Sequence, residues 1–89
     1  MKVHVVTKTV YSPDSSDKNV TVLEGVYSSK KKAVSAVDDR LDEAVNALQK
    51  YGYKRRDVIV LGIGSWGYDL VGGDGEIRSR YVIETTEVE

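Results

Sequence analysis

Val34, Val37, Leu41, Val45 and Leu48 recur at steps of three, four, four and three, a spacing that belongs to an α-helix. At 3.6 residues per turn these side chains form one apolar stripe, with Ala44 and Tyr51 flanking it. Ser28 and Ser29 supply capping oxygens ahead of the first turn, and Gly52 stands where a left-handed residue ends a helix. The pattern predicts an amphipathic helix over Ser29–Tyr51, about six turns and roughly 34 Å long. Lys50, Lys54, Arg55 and Arg56 are expected at the negative end of its dipole. Such a stripe must be buried against a second layer, and the rest of the chain reads as strands.

Met1 to Tyr11 alternates, with Val3, Val5, Thr7 and Thr9 on one side and His4, Val6, Lys8 and Val10 on the other. It predicts a strand apolar enough on both sides to be well covered. The segment SPDSSDKN, Ser12 to Asn19, holds the only proline and a cluster of turn formers, closing a hairpin onto a strand over Val20–Tyr27. Asp57 to Ile63 is β-branched and continuous, the composition of a central strand buried on both faces. WGYDLV and EIRSRYVIETTEV flank GGDG, whose glycines suit a hairpin turn. The expected fold is α+β in the order ββαβββ. One domain over 1–89 carries an antiparallel sheet of about five strands, with the helix on one face. Val5, Val22, Val60 and Ile83 are expected beneath the helix stripe. A single helix leaves the opposite sheet face uncovered, so a homodimer formed through sheet faces or edges is expected.

Composition narrows the function classes. The 89 residues contain no cysteine and one histidine, removing disulfides, zinc thiolates and cysteine nucleophiles. Thirteen basic against fourteen acidic residues leave a net charge of −1 and no global field toward nucleic acid or anionic membranes. The longest apolar run, Val58 to Ile63, is far short of the roughly 20 residues of a membrane helix, and the N-terminus lacks a signal-peptide pattern. A cytoplasmic protein without membrane attachment is expected. Six tyrosines and one tryptophan, with no phenylalanine, suit half-wet positions at a core edge or contact surface.

Gly62, Gly64 and Gly67 satisfy G-x-G-x-x-G, the spacing that cradles a dinucleotide pyrophosphate. That fingerprint requires a helix after the last glycine, whereas Gly67 precedes an alternating, strand-like segment, so no cofactor is expected. Ser65 lacks the first glycine of a nucleophile elbow, because Ile63 occupies that position. Asp38, Asp39 and Asp42 match D-D-x-x-D, but one helix cannot build the facing metal sites that use it. Asp38, Asp39, Asp42 and Glu43 read instead as a solvated flank or a docking patch for a basic partner. Lys30, Lys31 and Lys32 crowd the first turn, either as a solvated turn or around an anion. His4 has no partner identifiable from the sequence.

The segment LEGVYSSKKKAVSAVDDRL and the closing SRYVIETTEVE resemble small uncharacterised accessory proteins of phage and prophage genomes. Those share a β-hairpin, a helix opened by an aromatic-Ser-Ser step, and further strands. The resemblance carries no catalytic residues. It implies a protein that binds and modulates a host protein, such as a component of host defence, in the host cytoplasm.

A non-enzymatic protein-binding module is therefore the leading expectation, with Asp38, Asp39, Asp42, Glu43, Trp66, Tyr68 and Tyr81 as contact residues. The alternative is nucleic-acid binding through an exposed sheet face or the basic segment containing Lys50, Tyr53, Lys54, Arg55 and Arg56, where rings interleave with cations.

Overall fold

The computed structural model describes residues 1–12, 19–62 and 64–88, the side chains at 59–61 excepted. Its elements run β1 (Lys2–Val10), β2 (Val20–Tyr27), α1 (Lys30–Leu48), a 3-10 turn (Gln49–Tyr51), β3 (Lys54–Gly62), β4 (Ser65–Val71) and β5 (Ile77–Glu87). The five strands form one antiparallel sheet in the order β2-β1-β5-β4-β3, with α1 packed on one face. The α+β class and the ββαβββ chain order are as the sequence predicts.

The last strand lies in the middle, between β1 and β4, so the two ends of the chain are stitched together by β1–β5 pairing from Lys2↔Glu87 to Val10↔Ser79. The strands β2 and β3 are the two edges. A five-stranded sheet is about 19 Å across, and a 19-residue helix reaches about 28 Å, long enough to carry the chain from one edge to the other on a diagonal.

Local chemistry sets the helix ends. The Ser29 side chain accepts the Lys32 N–H at 3.2 Å, the expected N-cap. The α-helix stops at Leu48, and a 3-10 turn follows. Gly52 closes that turn with φ of 79° and donates its N–H to the Gln49 carbonyl at 3.0 Å. Lys54, Arg55 and Arg56 belong to β3, not to the helix end, correcting the expected dipole cluster. Of the loop expected over Ser12–Asn19, 13–18 lie outside the described residues; at its ends the Ser12 N–H donates to Asn19 Oδ1 at 2.9 Å.

The core comprises Val6, Ala33, Val37, Leu41, Leu70, Tyr81 and Ile83. Ala33, Val37 and Leu41, four residues apart, form the centre of the helix contact, while Val34, Val45 and Leu48 pack at its margins. Ala33 was not among the expected contacts; its small side chain sits where α1 lies against the strands. On β1 the buried residue is Val6, paired with Ile83. Val5 is half-buried on the opposite face, so the expected parity of this strand is reversed. Val22 is 44% exposed rather than beneath the helix. The expected contact through Val60 lies outside the described residues. The segment read as a central strand is instead the edge strand β3, which begins at Lys54.

Candidate interaction surface

Strand registers divide the side chains between two unlike faces. The α1 face carries His4, Val6 and Lys8 of β1, Tyr81 and Ile83 of β5, Trp66, Tyr68 and Leu70 of β4, and Arg55 and Asp57 of β3. Most of these belong to the core or adjoin it. Tyr81 is only 5% exposed, which removes it as a contact ring. Trp66 and Tyr68 are half-buried against the core; the Lys30 ammonium sits 3.4 Å from the Trp66 ring centroid, a cation–π contact. His4 Nδ1 is 3.0 Å from Thr85 Oγ1, a local hydrogen bond across β1 and β5.

At the junction of α1 with β3, Arg55 donates to Asp38 at 2.5 Å and to Asp57 at 2.8 Å, approaches Asp42 at 3.7 Å, and lies 5.6 Å from the Tyr68 ring centroid. Burial disfavours its charge, but bonds to Asp57 and Asp38 outweigh that and raise its pKa. Tyr68 is also pushed up, first by burial and then by the fields of Asp38 and Asp57. Two residues of the expected acidic patch thus converge on the central arginine of the expected basic segment, while Asp39 and Glu43 remain exposed. Among the described residues, no three acidic or histidine side chains converge as a metal site requires.

The opposite face of the sheet is not covered by the helix. Its middle is aliphatic, with Val3 and Val5 of β1, Leu23 and Val26 of β2, Val82 of β5 and Val58 of β3. Leu23 is 65% exposed and Val26 54% exposed. Toward β3 this strip meets an ionic cluster. Asp69, fully buried, accepts from Arg56 at 2.6 Å and from Arg80 at 2.7 and 3.0 Å. Burial would raise the Asp69 pKa, but the two guanidiniums hold it below the usual carboxylate value. Two cations around one anion leave this border positive, with Arg56 the more exposed. Leu23, Val26 and Asp69 are absent from the contacts expected from the sequence. Strict alternation on β2 would put Leu23 and Val26 on opposite faces; the bulge between them, opposite Val6 and Thr7, brings both to this one.

The remaining members of the basic segment are dispersed. Lys50 lies 5.1 Å from the Tyr51 ring centroid in the 3-10 turn, Tyr53 packs against the core, and Lys54 is exposed on β3. Lys30 and Lys31 line a shallow groove of about 460 Å³ with Val34, Ser35 and Asp38; the carboxylate opposes an anion there. Gly67 opens no helix, since β4 runs from Ser65 to Val71, so the dinucleotide spacing has no phosphate-binding context. Gly64, with φ of 76°, lies in the β3–β4 turn. No helix among the described residues is long and apolar enough to cross a membrane.

Comparison with protein-family models, curated proteins and solved structures returns no match to this chain.

Proposed function

We propose that this chain is a non-enzymatic protein-binding module that receives a partner on the uncovered face of its sheet. The observation that carries the reading is the solvent exposure of Leu23 and Val26 beside Val3, Val5 and Val82, an aliphatic strip on a face that has no second layer among the described residues. Such a strip gains most by being covered. Arg56 and Arg80 on its border suit a partner whose apolar patch is flanked by carboxylates. This moves the contact surface away from Trp66, Tyr68 and Tyr81, and leaves Asp39 and Glu43 as a secondary flank. The further reading, a phage-type modulator of a host protein in the host cytoplasm, rests on the resemblance of Leu23–Leu41 and the C-terminal segment.

Internal pairing weighs against nucleic acid. Arg55 is held by three carboxylates, and Lys50, Lys54 and Arg56 are dispersed over the 3-10 turn and β3 rather than aligned as a track for phosphates. The test is affinity capture from a host lysate with the wild-type chain and with Val82→Glu and Val26→Glu. The expected result is a protein retained by the wild type and lost by both variants, all three chains being folded. Equal retention by the variants would overturn the reading.

A further inference from the structure

The two edges of the sheet are defended unequally. The edge strand β3 opens with four consecutive charged residues, Lys54, Arg55, Arg56 and Asp57, the kind of sequence that discourages pairing with another strand. The edge strand β2, VTVLEGVY, has one carboxylate, Glu24. A bulge opposite Val6 and Thr7 lets Glu24 reach α1, where Arg40 donates to it. The strand edge therefore presents no unpaired charge. On its helix side, beyond the reach of α1, Val20 and Val22 are 55% and 44% exposed, with Val10 paired to Val20. On the other side are Leu23 and Val26. An exposed strand edge bearing aliphatic side chains on both faces pairs readily with another strand.

We infer that the β2 edge pairs antiparallel with β2 of a second copy about a two-fold axis near Val22, giving a continuous ten-stranded sheet. About this axis Val22 faces Val22, Thr21 faces Leu23 and Val20 faces Glu24 of the mate, so no like charges are opposed. The internal Glu24–Arg40 pair leaves no free charge on this stretch, and the threonine and valine side chains of β2 suit cross-strand contact. The axis is perpendicular to the sheet, so both helices lie on one side and the two aliphatic strips join on the other. This inference concerns the purified chain alone and does not rest on the proposed partner.

Sedimentation over about three decades of concentration should show the mass rising from 9.9 kDa toward twice that value. Val22→Lys should remain monomeric across the series, with thermal unfolding equal to that of the wild type at the dilute end, where both are monomers. The chain has no cysteine, so a single introduced thiol reports contact without interference. Residues directly opposed in an antiparallel pair have Cα atoms about 4.5–5.5 Å apart, within disulfide range. Val22→Cys should therefore form a covalent dimer under mild oxidation, whereas Ala47→Cys on the exposed side of α1 should not. A wild-type chain monomeric throughout would overturn the inference. So would a dimer that survives Val22→Lys, or one in which Val22→Cys cross-links no faster than Ala47→Cys. Val82→Glu, on the central strand β5 and two strands away from β2, should dimerise normally even if it loses the partner.

Discussion

Arg55 on β3 and Asp38 on α1 meet at 2.5 Å, pinning the middle of the helix to an edge of the sheet. Each came from a charge cluster that suggested an opposite kind of partner, and each is largely occupied by the other. Arg55→Ala and Asp38→Ala should each destabilise the fold, and a double-mutant cycle should give a coupling of about 1 kcal/mol. Raising the salt concentration should shrink that coupling. A coupling indistinguishable from zero at low salt would leave the two residues free for outside partners.

Leu41 is fully buried at the centre of the α1 contact. Leu41→Ala should cost about 2–5 kcal/mol in denaturant unfolding, from lost transfer free energy and the cavity left behind. Val34→Ala, at the margin, should cost clearly less. The reverse ranking would mean that the helix is rotated from the observed orientation.

Asp69 links acidity to stability. Its native pKa lies below the unfolded value near 4, so the native state binds fewer protons over that interval. The resulting stabilisation is complete above the unfolded pKa and is lost as pH falls through the native one. Urea midpoints measured from neutral pH down to about pH 2 should show this acid loss, and Asp69→Asn should flatten it. An unchanged slope in the variant would assign the acid sensitivity to other carboxylates. At neutral pH, Asp69→Ala should cost about 1.5–3 kcal/mol, the worth of a hydrogen bond to a charged group, since the guanidiniums left behind still reach water.

Gly52 combines φ of 79° with an approach that would put a Cβ 3.1 Å from Gly73 Cα. Gly52→Ala should therefore lower stability by about 1–2 kcal/mol. Differential scanning calorimetry gives the check, with a neutral substitution as the contrary result.

The helix, its Ser29 cap, the Gly52 stop and the GGDG hairpin were legible because each depends on neighbours within a few residues. Strand parity was not. Val5 and Val6 are both valine, and alternation on a strand apolar on both sides cannot say which one meets Ile83. The place of Asp57–Ile63 was misread for a related reason: a continuous apolar run signals burial, but β3 is an edge strand, a fact fixed by the long-range choice of β5 as the sheet's centre. The aliphatic strip could not be seen before that choice, since Leu23, Val26, Val82 and Val5 come together only through β2–β1–β5 pairing. The acidic and basic clusters were visible, but their mutual neutralisation depends on α1 crossing toward β3.

The most direct test of the sheet-face account is the affinity of a captured partner, measured calorimetrically for three purified variants. Val82→Glu and Val26→Glu should each weaken binding by about tenfold or more, equivalent to roughly 1.4 kcal/mol. Asp39→Lys, on the exposed helix flank, should leave it within about twofold. Undiminished affinity in Val82→Glu, together with its loss in Asp39→Lys, would contradict the account and place the partner on the helix.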